Sequence, residues 1–273
     1  MELARRVATA CGETADVFVT EQAGHAHDLA RTAGASGARL VVAWGGDGTV
    51  NEVASALAFG AAPLGIMPAG SGNGLARELG ISPNPEAALT GALRAPVPRR
   101  IDVGEIEGRL FVNVAGVGFD AHVAALFNAP GNRRRGLTGY AVLIARSLAG
   151  YTCGRYEIAT PDSHTTVNAL LVVLANGTEF GNRVRIAPRA RVDDGALDLV
   201  VVEERSRLRT VWNMRRLVNG SLDRAPIWSS RPVQKVTIDC DAPMMFHVDG
   251  EPIRGGTRIE ACVHPGALGV CVG

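Results

Sequence analysis

Leu40-Val41-Val42-Ala43-Trp44-Gly45-Gly46-Asp47-Gly48-Thr49-Val50-Asn51-Glu52 is the stretch on which the fold turns. Its first five residues are a continuous apolar run, the pattern of a strand buried on both faces. Beyond the glycines, a helical pattern spans Asn51 to Phe59, with Val53, Ala56 and Leu57 on one side. Strand, glycine loop and helix in that order suit a phosphate ligand. Glycine lets the backbone approach phosphate oxygens closely, and a helix N-terminus offers N–H groups and a positive dipole end. Thr49 adds a hydroxyl donor. Asp47 is unusual in such a cradle, because its charge would repel phosphate; a carboxylate there suits a divalent cation or an acceptor hydroxyl. The plainer reading is a glycine turn with Asp47 as a simple cap.

Outward from this stretch the pattern repeats. Leu64-Gly65-Ile66-Met67 reads as a second strand, stopped by Pro68. Gly70-Ser71-Gly72-Asn73-Gly74 follows, and then a short helix from Ser71 to Leu79, ended by Gly80. Two glycine loops at the carboxyl ends of adjacent parallel strands form one ligand crevice in open α/β sheets. Towards the N-terminus, Leu3 to Cys11 reads as a helix, Val17-Phe18-Val19 as a short strand, and Ala26 to Ala33 as a helix ending at Gly34. The alternation predicts an α/β domain with a parallel sheet over residues 1–100.

The Pro-rich stretch Ala95 to Pro98 marks a boundary, and the texture then changes. Strands are expected at Ile101–Gly104, Leu110–Val114, Tyr156–Ala159, Ala169–Leu174, Leu197–Val202, Val236–Asp239 and Arg258–Val263. One long helix, about Leu137 to Leu148, interrupts them. Residues 101–273 are therefore read as a mainly β domain, a sandwich, whose last strand has the option of returning to the first domain.

Composition narrows the function classes. The chain has 273 residues, 47% of them hydrophobic, and a net charge of +1. That balance lacks the basic excess of a nucleic-acid binder. No apolar run approaches the length of a membrane span, and no secretory leader is visible, so a cytoplasmic address is expected. The five cysteines, Cys11, Cys153, Cys240, Cys262 and Cys271, are scattered without a C-x-x-C pair, which favours free thiols over disulfides or a metal site. His122, His164, His247 and His264 are isolated from one another in sequence, and none is read as a metal ligand. Lys235 is the only lysine. It lies in no glycine loop, so the P-loop pattern is absent, as are the protein-kinase elements and the dinucleotide G-x-G-x-x-G.

At the loops the sequence resembles a known family. Gly45 to Glu52 (GGDGTVNE) is similar to the signature of diacylglycerol kinase catalytic domains, a superfamily shared with bacterial lipid kinases and with sphingosine and ceramide kinases. NAD kinases also carry GGDGT, so the further matches matter. Leu64 to Arg77 (LGIMPAGSGNGLAR) resembles the family's second nucleotide loop. Gly116 to Ala121 (GVGFDA) resembles its entry to the second domain. Asp193 to Asp198 (DDGALD) and Val248 to Glu251 (VDGE) resemble its two late acidic motifs. The matches occur in family order over roughly residues 20 to 255.

The resemblance implies a nucleotide-binding α/β domain and a β-sandwich, with ATP and Mg²⁺ as cofactors. It implies ATP contacts from Gly45, Gly46, Asp47, Gly48, Thr49, Val50, Asn51 and Glu52, from Gly70 and Ser71, and from Thr20 ahead of Gly24-His25-Ala26. It implies a Mg²⁺ site at Asp194, helped by the main-chain carbonyls of Arg191 and Ala196. Glu251 falls at the family's proton-acceptor position. By residue chemistry alone Asp47, Asp249 and Glu251 are all candidates for that base, since phosphoryl transfer needs a carboxylate near the acceptor hydroxyl. Asp193-Asp194-Gly195 also reads as an ordinary hairpin turn, and Asp249-Gly250-Glu251 as a β-turn with solvated acids.

The implied activity is transfer of the γ-phosphoryl group of ATP to a lipid hydroxyl, diacylglycerol first. The alternatives are an NAD kinase-like or other small-molecule kinase of the superfamily, and a non-catalytic nucleotide-binding module. The expected partner is a lipid at a membrane surface, reached peripherally from the cytoplasm at the inner face, without a transmembrane segment or nucleic acid; a homodimer is allowed for. Arg133-Arg134-Arg135 could meet anionic headgroups, though a solvated loop is the plainer reading. The family opens with an apolar strand and an Asn-Pro-x-x-Gly loop, whereas Met1 here stands at the first helix. Either the natural start lies upstream or the chain is a shortened member. Many relatives carry an acidic residue where Gly74 stands.

Overall fold

The computed structural model describes residues 1–129, 143–144, 146–148, 150–180, 184–204, 216 and 224–273. Arg133-Arg134-Arg135 and much of the helix expected at 137–148 lie outside these residues. The chain divides into two compact units, Met1–Val103 with Pro265–Gly273, and Gly104–His264.

The first unit is a parallel α/β layer structure. Its elements are α1 (Glu2–Ala10), α2 (His25–Ala35), β1 (Val41–Gly45), α3 (Asp47–Leu57), β2 (Leu64–Pro68), α4 (Gly74–Glu78) and α5 (Pro85–Arg94). β1 and β2 pair in parallel from Val41↔Leu64 to Gly45↔Pro68. Helix α3 is the crossover between them, and it buries Val50, Val53, Ala54 and Leu57. Asn84 starts α5 by accepting from the amides of Glu86 and Ala87 at 3.0 Å each, with Pro85 pre-set at the first helical position. Val7 of α1, Met67 of β2 and Leu89 of α5 share a core. The end of the last strand also belongs here: Val270 pairs with Leu64 in parallel.

Four local expectations change, the first being the helix expected from Ser71 to Leu79, which spans only Gly74–Glu78. Gly34 does not end α2 but lies inside it, where a Cβ would stand 3.3 Å from Leu57 of α3, so its absence permits close helix packing. Val17-Phe18-Val19 forms no strand; Phe18 and Val19 stay 68% and 64% exposed, so this apolar triplet has no ladder to join among the described residues. Helix α3 starts four residues earlier than the apolar periodicity suggests, because Asp47, Gly48 and Thr49 already form its first turn.

The second unit is mainly antiparallel β. It holds the end of β3 (Arg99–Ile106), then β4 (Arg109–Phe111), β5 (Val114–Gly118), α6 (Phe119–Asn128), β6 (Gly154–Thr160), β7 (Ser163–Ala175), β8 (Leu197–Glu203), β9 (Trp228–Val233), β10 (Lys235–Cys240), β11 (Met245–Val248), β12 (Glu251–Arg254) and the start of β13 (Arg258–Val270). Strand neighbours run β13-β10-β6-β7-β5-β11-β12, with β8 and β9 branching from β7. β7 explains the unbroken apolar run seen in sequence. Val172 and Leu174 feed one core and Leu171, Val173 and Ala175 the other, so both faces of the strand are buried. The strand expected at Leu110–Val114 is interrupted: β4 ends at Phe111 and β5 begins at Val114. Among the described residues, no helix is long and apolar enough to cross a membrane.

Candidate active site

The two glycine loops of the first unit touch backbone to backbone. A Cβ on Gly70 would lie 2.6 Å from the Cα of Gly46, so both positions must lack side chains for the loops to meet. Asp47 then locks the second loop. Its Oδ2 accepts from the Asn73 amide at 2.9 Å and its Oδ1 from the Gly74 amide at 2.7 Å. These are the first amides of α4, which lack partners within the helix. Asn73 sits in the left-handed region and closes the turn from inside, accepting from the Gly70 amide at 2.9 Å and donating to the Gly70 carbonyl at 2.8 Å.

Glu52 does a similar task on the other flank. Its two oxygens accept from the amides of Gly24 and Ala26 at 2.9 and 3.1 Å, tying the start of α2 to α3. Thr20 is exposed just ahead of that turn. Both acidic residues of the first signature therefore point their carboxylates at backbone amides. The surface they leave is the N-terminus of α3, with the amides of Asp47, Gly48 and Thr49 ahead of the first intrahelical acceptor. Gly48 is exposed, has no positive φ, and a Cβ there would meet nothing within 4 Å. Nothing among the described residues requires glycine at that point, and alanine would make a better helix.

In the second unit, two motifs far apart in sequence are joined. Asp120 of GVGFDA and His247, the residue before VDGE, are both buried, and His247 Nε2 lies 3.1 Å from Asp120 Oδ2. His247 Nδ1 accepts from the Gly250 amide at 3.3 Å, so the ring proton belongs on Nε2, donated to Asp120. The other oxygen of Asp120 accepts from the Ala121 amide at 2.8 Å.

Asp249 completes the clamp. Its Oδ1 accepts from Asn113 at 3.0 Å and Val114 at 2.8 Å, and its Oδ2 from Val112 at 3.0 Å. This grip on residues 112–114 is what interrupts the expected strand there. Glu251 begins β12, and its exposed carboxylate makes no hydrogen bond or ion pair among the described residues. Of the three candidate bases, Asp47 and Asp249 are thus occupied in holding backbone, and Glu251 is available.

The DDGALD segment forms the turn into β8. Asp194 is exposed and its Oδ1 accepts from the Ala196 amide at 3.2 Å. Arg191 pairs with Asp193 at 3.6 Å. Asp198 is half-buried and accepts from Ser230 Oγ at 2.7 Å. Burial pushes its carboxyl above the usual range; the Ser230 hydrogen bond opposes this, the Asp194 charge adds to it, and Arg189 offsets part. An exposed carboxylate, main-chain carbonyls and a nearby second carboxylate are hard oxygen donors of the kind Mg²⁺ takes, and a cation would relieve the Asp194–Asp198 repulsion. The donor set fits.

Sequence reasoning missed Asn73, Asp120 and His247 as organisers. The only signal for His247 was its place beside the VDGE motif.

The parallel α/β unit and the β sandwich-like unit that follows it have the fold seen in diacylglycerol kinase and NAD kinase structures. Residues 1–106 match the diacylglycerol kinase catalytic domain, and residues 113–272 match the YegS C-terminal NAD kinase beta sandwich-like domain. A Chromohalobacter salexigens protein named "Probable lipid kinase YegS-like" is 34% identical over 92% of this chain and 82% of its own length. A Pseudomonas aeruginosa protein of the same name is 34% identical over 95% of this chain and 85% of its own. A diacylglycerol kinase from Bacillus anthracis superposes with a TM-score of 0.73 at 19% identity, covering 98% of this chain and 88% of that one. An NAD kinase from Archaeoglobus fulgidus in complex with ATP gives 0.56 at 11% identity, covering 99% and 88%. The chain belongs to the diacylglycerol kinase catalytic family, within its YegS-like lipid kinase branch.

Proposed function

We propose that this chain transfers the γ-phosphoryl group of ATP to the hydroxyl of a diacylglycerol-like lipid, in a reaction that depends on Mg²⁺. The observation that carries the reading is Gly48, a glycine in the first turn of α3 that the fold does not need. A bare backbone at a helix N-terminus is what a phosphate approaching at contact distance requires.

In this reading Gly45, Gly46, Gly48, Thr49, Val50 and Asn51 form the first nucleotide loop, Gly70 and Ser71 the second, and Thr20 a flanking contact. Asp47 and Glu52 are positioning residues that hold the two flanks of the cradle. Asp194, with the carbonyls of Arg191 and Ala196, would hold Mg²⁺; when bound, the ion neutralises charge developing on the phosphate oxygens. Glu251 accepts the proton of the attacking lipid hydroxyl. Asp249 and the Asp120–His247 pair fix the turn from which Glu251 projects. The names of its relatives, "Probable lipid kinase YegS-like", support a lipid acceptor, and such an acceptor would be met peripherally, at the inner membrane face from the cytoplasm.

The test is transfer of label from γ-labelled ATP to a panel of lipids in Mg²⁺-containing mixed micelles. Glu251→Gln is expected to cut turnover by about 10²–10⁴ while ATP binding is retained. Labelling of no lipid, with phosphorylation of NAD instead, would overturn the reading.

A further inference from the structure

Among the described residues, one cluster of ligating side chains has no part in the proposed phosphoryl transfer. Glu105 on β3 and Cys262 and His264 on β13 bring a carboxylate, a thiol and an imidazole together, with one ligand atom of each within 4.8 Å of the others. All three belong to the second unit. In sequence Cys262 and His264 looked isolated, but residues two apart on a strand share a face. Ala261 and Val263 point into the core, so Cys262 and His264 point away from it. Glu105 meets them from the neighbouring strand: its Oε2 lies 2.6 Å from His264 Nε2, and that nitrogen is 3.9 Å from Cys262 Sγ.

The chemistry separates two uses of such a group. A reactive cysteine needs a lowered thiol pKa. Here burial, and then the Glu105 charge, push the Cys262 thiol up, with Lys235 only partly opposing. Lys235 also lies within 3.9 Å of Glu260, which shares its charge. A cation among the three groups reverses that logic, because it favours the thiolate and welcomes the carboxylate.

Metal geometry is within reach. Zn–S of about 2.3 Å and Zn–N or Zn–O of about 2.0 Å at tetrahedral angles place sulfur about 3.5 Å from nitrogen, and nitrogen about 3.3 Å from oxygen. The present spacings differ from these by less than about 1 Å, a side-chain adjustment. His264 and Glu105 keep 31% and 34% side-chain exposure, which leaves room for water as a fourth ligand.

We propose that Glu105, Cys262 and His264 form a three-ligand site for Zn²⁺, separate from the Mg²⁺ used with ATP, that clips β3 to β13. A thiolate–imidazole–carboxylate set selects a borderline metal and rejects Mg²⁺. On coordination the thiol proton leaves to solvent and the imidazole proton resides on Nδ1.

The experiment titrates the metal-free full chain, kept reduced, with Co²⁺ and then Zn²⁺. One equivalent of Co²⁺ is expected to give a thiolate-to-cobalt charge-transfer band and four-coordinate visible bands, both erased by Zn²⁺. Cys262→Ser should abolish the charge-transfer band, and His264→Ala should weaken binding more than about 100-fold, beyond the usual cost of losing an outer-shell partner. Cys240→Ser should change neither. The wild-type chain supplies an arm that needs no variant. Zn²⁺, but not Mg²⁺, should slow iodoacetamide labelling of Cys262 at least about tenfold relative to Cys240, read by peptide mass spectrometry. Absence of the charge-transfer band, its persistence in Cys262→Ser, undiminished binding in His264→Ala, or unchanged labelling would each overturn the site.

Discussion

His247 Nε2 and Asp120 Oδ2 meet 3.1 Å apart with both side chains almost wholly buried, joining two motifs separated by more than a hundred residues. The pair orients the turn that carries Asp249 and Glu251, so its loss has both a structural and a functional reading. Asp120→Ala leaves the imidazole N–H buried without its acceptor. That costs about 1–3 kcal/mol, a fall in Tm of roughly 3–10 °C for a protein of this size. Turnover should fall with it. Asp120→Asn, which keeps one oxygen for two donors, should lie between. Thermal melts and lipid kinase assays on the same preparations check this.

Asp47 and Glu251 should separate cleanly. Asp47→Asn offers one acceptor to two amides, so either Asn73 or Gly74 loses its partner. The lost charge-assisted bond is worth about 1.5–3 kcal/mol, and ATP affinity should fall about tenfold or more as the second loop loosens. Glu251→Gln should leave the ATP Kd unchanged. Equilibrium nucleotide binding on both variants decides it; equal ATP affinity in the two would remove Asp47 from the cradle's support.

Two glycines in neighbouring loops should respond in opposite ways. Gly70→Ala drives a methyl against the Gly46 backbone and should cost about 1–3 kcal/mol of stability. Gly48→Ala meets no atom and should leave Tm equal or slightly raised, since alanine is favoured over glycine in a helix by about 1 kcal/mol. Yet it should weaken ATP binding at least about tenfold if phosphate approaches that backbone. Tm and ATP affinity, measured together, distinguish a glycine kept for the fold from one kept for a ligand.

Asp198 gives a pH signature. Its carboxyl is pushed up by burial, so the folded state favours the protonated form. Its stabilising effect is present below the ordinary carboxylate pKa and is lost as pH rises through the elevated value. Asp198→Asn retains an acceptor for Ser230 without the charge. The variant should melt a few degrees above wild type at pH 7, and the gap should close near pH 3. A constant gap across that range would refute the assignment.

Much of this site was legible in the sequence because βα loops announce themselves locally. The two strand–glycine–helix passages and the acidic motifs are short-range patterns, and they lead to the family. What side chains do with their charge was not legible. Asp47, Glu52 and Asp249 look like three ligand-facing acids, yet each turns onto backbone amides 26 to 137 positions away. Nothing in residue type or spacing tells a carboxylate which way to point. Helix α3 began early for a related reason: its first turn is made of residues that periodicity reads as loop. Val17-Phe18-Val19 failed because a strand is defined by its neighbour as much as by its own residues.

β13 has a consequence for the making of the protein. The Leu64 carbonyl accepts from the Cys271 amide at 2.8 Å, and the Ala267 carbonyl accepts from the Phe59 amide at the same distance. The unit that holds residues 1–103 is therefore completed by residues 265–273, which are synthesised after the whole of the other unit. Roughly 160 residues of the other unit are synthesised in between, which takes on the order of 10–30 s at typical elongation rates. During that interval the nascent glycine loops lack the strand that closes their sheet, while the later unit, Gly104–His264, has its whole sequence in hand first. A chain cut just after His264 would keep the second unit's sequence whole and leave the first without the strand that pairs at Leu64.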